Sequence, residues 1–324
     1  MHRMRTTWRR AGLALIALLA LLLGLPYLIP LPGGRPAATL ADAAGRFVVV
    51  EGLQTYVLAS GPEDGPAVVL IHGLGGSTFS WRETLGPLAE SGYHAVTFDL
   101  PGFGLTDKPL SYDYSHAHQA DFTVHLMDAL GLPTASVVGH SMGGDIAAHL
   151  ALRHPERVTR LVFVDGAVGG GDNLNILGPL AAFPPVARWI QVAGAYLLTP
   201  ERFTDILRSA YADPNFVTPA IAAGYARVLQ TPDFAAVLVG LVRDGGQNRL
   251  DDTDIGQIEA PSLLAWGALD TWVPLENGER LRDLLPQAVL RTYPTAGHLP
   301  MEETPAAFNA DLLAFLAGEP FPED

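Results

Sequence analysis

The chain contains no cysteine. Disulfides, thiolate metal sites, a thiol nucleophile and a lipid-modified N-terminal Cys are therefore excluded together. The redox compartment stays open, because a chain without cysteine survives in any of them. Charge is also scarce. Asp, Glu, Lys and Arg make up 17% of the 324 residues, and the formal net charge is −14. Phosphate binding needs a Lys/Arg surface that such a chain lacks, so no nucleic-acid partner is expected. Internal repeats are missing, and so are low-complexity segments beyond the N-terminus. What is plentiful is apolar: 48% of residues, too many for a disordered chain. The length suits one large domain or two modest ones.

Part of the apolar excess lies at the start. Arg3, Arg5, Arg9 and Arg10 precede a stretch from Ala11 to Leu31 that holds no charged residue. About 20 apolar residues in a helix span the ~30 Å hydrocarbon core. Arginines ahead of such a helix hold that end in the cytoplasm, which places the remaining chain on the extracytoplasmic side. A cleaved signal peptide, followed by secretion, is the competing reading. Residues 11–25 fit its apolar region, but PYLIPLPGG offers no small-x-small cleavage site at the usual distance. Ala41-Asp42-Ala43 fits that pattern too far downstream. An uncleaved transmembrane anchor is the expectation, and the Arg cluster argues against a buried core helix. Pro30, Pro32, Gly33, Gly34 and Pro36 read as a linker, so 1–36 forms an anchor-and-linker unit.

Beyond it, short β-branched runs alternate with helical patterns. Residues 47–52 and 53–60 read as an antiparallel pair. Residues 67–73, 93–100, 135–140, 160–166, 261–267 and 288–294 read as buried strands, apolar nearly throughout as a sheet covered on both faces requires. Amphipathic patterns fall at about 78–91, 116–130, 142–153 and 305–317. This alternation predicts an α/β fold with a doubly wound, mostly parallel sheet. From Ala167 to about Asp254 there is no strand signal, only Pro-punctuated, Ala/Leu-rich helical stretches. That is too long for a loop. It reads as a helical cap (167–254) inserted after the sixth strand, between core segments 37–166 and 255–324.

Gly139-His140-Ser141-Met142-Gly143 matches G-x-S-x-G, after one strand pattern and at the start of a helical one. The motif places serine on a sharp strand-to-helix turn, where the residues two before and two after must lack bulk. A serine hydroxyl needs a base to take its proton. With the chain order Ser, acid, His that goes with this turn, only His149, His154 and His298 follow Ser141. The first two lie along the helix that Ser141 starts, roughly 12 Å and 20 Å away at 1.5 Å per residue. His298, in the loop TAGHLPMEE, is therefore the candidate base.

The acid that orients the imidazole is assigned to Asp270 in the loop ALDTWVP. Asp165, at the end of the preceding strand, is the weaker alternative and reads as a loop-closing residue. An oxyanion needs preorganised backbone donors. These are expected from Met142, at its helix N-terminus, and from Leu74 in HGLGG, with His72 fixing that loop.

HGLGGSTFSW, DLPGFGLTDKP, GHSMGG, LDTWVP and AGHLPMEE together resemble the α/β-hydrolase superfamily over roughly residues 47–318, least across the cap. The resemblance is to its capped serine esterase and lipase group, the monoacylglycerol-lipase-like and related esterases. It implies a serine carboxylesterase with a small-molecule ester substrate, no cofactor and no metal. Relatives acting on epoxides and haloalkanes place Asp at the turn, and Ser141 speaks against both. C–C bond hydrolases commonly have Asn before the serine and Trp after the histidine, where this chain has His140 and Leu299. A C–C or lactone hydrolase using the same three residues is the alternative.

Two other classes are weaker. His116, His118, Asp121 and His125 resemble a metal cluster, but 118, 121 and 125 share a helical face that 116 leaves, so a solvated or pocket-lining helix is expected. A non-catalytic binding module is disfavoured by the intact Ser, Asp and His set. Phe183, Trp189, Tyr196, Phe203 and Tyr211 are candidates to line the cap side of the site, with packing between cap helices as the alternative.

Overall fold

A computed structural model describes residues 2–169, 178–245 and 247–322. Its strands are β1 (Gly45–Val50), β2 (Leu53–Ser60), β3 (Ala67–Ile71), β4 (His94–Phe98), β5 (Ala135–His140), β6 (Val158–Val164), β7 (Ser262–Gly267) and β8 (Ala288–Tyr293). They form one sheet in the order β1-β2-β4-β3-β5-β6-β7-β8. The β1/β2 and β2/β4 pairs are antiparallel and the others parallel. All eight expected strands are present, in the doubly wound, mostly parallel arrangement.

Successive strand residues point to opposite faces, so the apolar runs feed two cores. Val69, Val137, Leu161 and Leu264 pack in one. Their neighbours Val68, Val138, Val162 and Leu263 pack in the other.

The helices are α1 (His2–Leu28), α2 (Leu85–Glu90), α3 (His116–Ala129), α4 (Met142–Arg153), α5 (Gly178–Ala181), α6 (Pro184–Leu197), α7 (Pro200–Arg208), α8 (Pro219–Tyr225), α9 (Ala236–Asp244), α10 (Asp252–Ile255), α11 (Leu275–Leu284), α12 (Pro300–Glu303) and α13 (Pro305–Ala317). Between β6 and β7 the described residues carry α5 to α10 and no strand. Pro184, Pro200 and Pro219 there start helices rather than break them. Thr199 and Thr218 cap α7 and α8 by accepting from Arg202 N–H and Ile221 N–H, with proline in the first turn. Helix α11 was not expected from its sequence, LENGERLRDL, which is polar at most positions. It is held where Gly278 lies against the Trp266 ring, so close that a Cβ there would come within 2.9 Å of it.

The 19 residues from Arg10 to Leu28, near the N-terminus, are long and apolar enough to cross a membrane, with mean hydropathy 2.3. Pro26 lies inside α1. Proline has no N–H, so the Leu22 carbonyl loses its helical partner. The Trp189 indole N–H, on α6, donates to that carbonyl at 2.8 Å. The carbonyls at the helix end are also taken up from α6. Arg188 donates to Pro26 O and Ile29 O, and the Tyr196 hydroxyl to Pro30 O. The inserted helices thus supply donors that the end of α1 cannot find within itself.

Trp189→Phe should therefore weaken the contact between α1 and α6, by about 1 kcal/mol for one lost hydrogen bond. Pro26→Ala restores an N–H to the Leu22 carbonyl, so the same Trp189 change should cost less in that background. Thermal unfolding of the four detergent-solubilised variants measures the coupling. Equal losses in both backgrounds would contradict it.

Candidate active site

Ser141 sits between β5 and α4 with φ +51° and ψ −118°, a conformation that non-glycine residues rarely adopt. Three backbone hydrogen bonds fix it: Ser141 N–H to Val164 O at 2.9 Å, and its carbonyl accepting from Gly144 and Ala167 at 2.9 and 3.0 Å. The turn is tight enough to demand glycine on both sides. A Cβ on Gly139 would lie 2.2 Å from Gly143 O, and one on Gly143 would lie 2.4 Å from Ile71 O. Ser141 Oγ makes no hydrogen bond to a described residue and lines a cavity of about 300 Å³ together with His140 and His298.

His298 and Asp270 are brought together. His298 Nδ1 and Asp270 Oδ2 are 2.7 Å apart, which assigns the ring proton to Nδ1 and leaves the Nε2 lone pair toward the cavity. The other Asp270 oxygen accepts from the N–H groups of Trp272 and Val273 at 2.7 and 3.0 Å. Burial alone would raise Asp270. The His298 contact outweighs it, aided by the Val273 N–H and by Asp165, and holds the carboxyl below its ordinary value. Asp165 lies alongside, buried. One atom from each of Asp165, Asp270 and His298 falls within 4.8 Å of the other two. No other set of three potential ligands converges among the described residues. The 2.7 Å Nδ1–Oδ2 contact is a hydrogen bond and leaves no room for an ion between them.

Leu74 is at the cavity wall, and Met142 follows the cavity-lining Ser141 at the start of α4. Among the described residues, neither backbone N–H finds an acceptor. His72 holds the loop that carries Leu74. Its Nε2 accepts from Leu100 N–H at 3.0 Å, so Nδ1 carries the proton and donates to Gly73 O at 2.8 Å. Burial lowers this ring to about 4.

His140 was missed as a site residue. Its Nε2 donates to the His298 carbonyl at 2.8 Å, and burial, then the neighbouring His298, lower it to about 3. From the other side, His298 N–H donates to Ala210 O at 2.8 Å.

Two further groups absent from the expectations hold the same loop. Buried Glu302 accepts from Arg82 and Tyr211, each at 2.5 Å, and from the Tyr225 hydroxyl. Glu303 accepts from Ala212 and Gly297 N–H at 2.8 and 2.9 Å. The only sequence signal was a pair of acids opening a Pro-started helix.

Of the five aromatic candidates for the cavity wall, only Phe203 lines it. Trp189 and Tyr196 bind the end of α1, and Tyr211 binds Glu302. Phe183 is half-exposed at the start of α6. The His116, His118, Asp121 and His125 set does not converge. His116 bonds Asp145, His118 and His125 face Glu51, and Asp121 pairs with Arg153 and His154. Those partners hold the four side chains apart.

His72 and His140 take up protons near 6.5 in the unfolded chain but only near 4 and 3 when folded. The unfolded state binds more protons across that window, so stability falls as pH drops from about 6.5 toward those values. Urea midpoints should decline from about pH 7 to 4.5. The decline should be shallower in His72→Asn, whose amide keeps one donor and one acceptor. An unchanged slope in that variant would refute the account.

The family profile of the alpha/beta hydrolase fold matches residues 66–218. A putative carbamate hydrolase of Caulobacter sp. (strain K31) is 34% identical over 278 residues, which is 83% of this chain and 97% of the relative. A meta-cleavage product hydrolase superposes with TM-score 0.71 at 28% identity, over 85% of this chain and 98% of its own. A membrane phospholipase A superposes with TM-score 0.69 at 29% identity, over 96% of this chain and 98% of its own. Sheet order, the turn at Ser141 and these likenesses lead to one conclusion: the chain is a hydrolase and belongs to the alpha/beta hydrolase fold family.

Proposed function

We propose that the chain is a membrane-anchored serine carboxylic ester hydrolase of the capped esterase and lipase group. Ser141 is the nucleophile, His298 the base, Asp270 the acid, and the Leu74 and Met142 amides are the oxyanion donors. The observation that carries this reading is the free Ser141 hydroxyl on its strained turn, sharing one cavity with a histidine whose Nδ1 is held by a carboxylate.

The steps follow from that arrangement. His298 Nε2 takes the Ser141 proton as Oγ attacks the ester carbonyl. The two amides stabilise the oxyanion. The intermediate collapses as His298 returns the proton to the departing alcohol, leaving an acyl-enzyme. Water, deprotonated by His298, then releases the acid and restores Ser141. Asp270 stays ionised throughout and stabilises the imidazolium.

The cavity favours an apolar acyl group. Among the described residues its wall includes Leu198, Phe203, Leu207, Val228, Leu238 and Leu241, and no Lys or Arg. A dienoate substrate of the kind named for C–C hydrolases carries a carboxylate that would meet no counter-ion there. A carbamate would leave most of the apolar wall unfilled. The segment read as a cap over 167–254 supplies half of this wall, from α7, α8, α9 and the turns beside them, and so limits acyl length.

Membrane attachment through residues 1–36 is supported by α1 and by the likeness to the membrane phospholipase A, which extends over 96% of this chain. The catalytic part would then stand on the extracytoplasmic side.

Ser141→Ala should abolish ester hydrolysis and fluorophosphonate labelling in a folded protein. Asp270→Asn should lower kcat by about 10⁴-fold, because the imidazole tautomer is mis-set. With p-nitrophenyl esters, kcat/KM should rise roughly fourfold per added CH₂ while burial contributes ~0.8 kcal/mol each, over about C4–C10, then fall. Full labelling of Ser141→Ala sinks the nucleophile. Cleavage of a vinylogous 1,5-diketone with no action on these esters would favour the C–C alternative.

The full chain should also sediment with membranes and retain residues 11–31, whereas a chain starting near Arg35 should be soluble and active. An N-terminus found between about 30 and 44 would establish a cleaved signal instead.

A further inference from the structure

Asp165 is the buried titratable group beside the reacting residues that the steps above leave unused. It closes β6 with φ +45°, and its N–H donates to Ala265 O at 3.0 Å. Its Oδ1 accepts from Gly267 N–H at 3.0 Å. Its Oδ2 is fully buried and meets no N–H or O–H donor among the described residues. What stands beside it is the Asp270 carboxyl.

Two buried carboxylates in contact cannot both keep their charge. The partners decide which one yields. Asp270 has His298 and two backbone N–H groups to stabilise an anion, whereas Asp165 has a single N–H.

We propose that Asp165 is a positioning residue for this hydrolase: a neutral carboxylic acid whose O–H donates to Asp270, fixing the carboxylate that holds His298. The proposal rests on the assignment of Asp270 and His298 given above. The O–H proton stays on Asp165 through the reaction and no bond is broken.

Against the Gly267 N–H, and against His298 when it is protonated, stand burial and the surrounding carboxylates. Burial, the Asp270 charge and the hydrogen bond to Asp270 push Asp165 well above the ordinary carboxyl range, and Glu303 adds to the push. Tyr293, at the end of β8, is itself raised by burial and by Asp311, so it stays neutral. The hydrogen bond in turn helps to keep Asp270 low.

The geometry explains why a second acid on this strand end does not compete for the histidine. An ionised Asp165 would set a second negative charge against Asp270. A neutral one gives the Asp270 carboxylate a further donor, in a space that the sheet seals from water.

The test uses the full-length enzyme in detergent with a p-nitrophenyl ester, reading kcat, KM and the pH profile of kcat/KM. Asp165→Asn copies the neutral acid: its carbonyl oxygen accepts from Gly267 and its NH₂ donates to Asp270. Asn also tolerates the left-handed backbone. It should keep kcat within about twofold and leave the acid limb in place. Asp165→Ala removes the donor. It should lower kcat about tenfold with KM unchanged, and move the acid limb upward, because a less stabilised Asp270 holds the imidazolium more tightly.

If Asp165 were ionised in the native enzyme, Asp165→Asn would remove a charge beside the imidazole and shift the acid limb down by about one unit or more. That result overturns the proposal, as does an Asp165→Ala enzyme with native kcat and profile. Should Asp165→Ala fail to fold, the acid limb of Asp165→Asn decides alone. Native kcat in Asp270→Asn would instead show that the underlying assignment, and the proposal with it, is wrong.

Discussion

The strained turn at Ser141 is the constraint on which the rest of the site depends. A serine at φ +51° between a strand and a helix is tolerated only if its surroundings over-determine it. Here the backbone of β6 on one side and the glycine contacts toward β3 on the other do so. The close approach of Gly143 to the carbonyl end of β3 brings the Leu74 loop beside the start of α4. Because β5 lies between β3 and β6, with β7 and β8 next in line, every other site residue comes from an adjacent strand end. The loop after β3 brings Leu74, Asp165 follows the last residue of β6, and the loops after β7 and β8 bring Asp270 and His298. In open parallel sheets that carboxyl end is where crevices form.

The inserted helices do more than roof the cavity. Ala210 and Ala212 bond the backbone and Glu303 of the His298 loop, and the Tyr211 and Tyr225 hydroxyls bond Glu302. The histidine therefore takes its position from two directions: Asp270 and His140 below, and the inserted layer above. The same layer, through Arg188, Trp189 and Tyr196, binds the end of α1. One helical layer thus meets both the apolar N-terminal helix and the loop of the proposed base.

Much of this was legible in the sequence because it depends on local pattern. Continuous apolar runs revealed the strands, and G-x-S-x-G revealed the turn, since only glycine fits that geometry. The chain order pointed to His298, and the loop after β7 pointed to Asp270. Legibility failed where long-range partners decide the outcome. Helix α11 turns only Leu275, Leu281 and Leu284 to the core, with Gly278 against Trp266, too sparse a pattern to stand out in a polar segment. Trp189 and Tyr196 read as aromatics of the cap, for the cavity wall or for packing between its helices, but the proline in α1 creates the carbonyl that Trp189 binds. Glu302 and His140 look like ordinary polar residues in one dimension. Their roles come from partners 77 to 220 positions away.

The buried titratable groups around the turn follow one rule, which is to stay uncharged unless charge is used. His72 and His140 are lowered far enough to remain neutral at physiological pH. Asp165 is raised and Asp270 lowered. One carboxylate is then left facing the imidazole. In a cavity walled by apolar side chains, electrostatic effects are larger than in water. A second fixed charge would oppose either the imidazolium or the oxyanion as they form. A cationic His140, in contact with His298, would make protonation of His298 harder and so oppose the proposed proton transfer from Ser141. Keeping His140 neutral removes that penalty and still lets its N–H hold the His298 carbonyl. The same burial that makes these histidines a liability to stability in acid is what keeps the field at the reacting atoms simple.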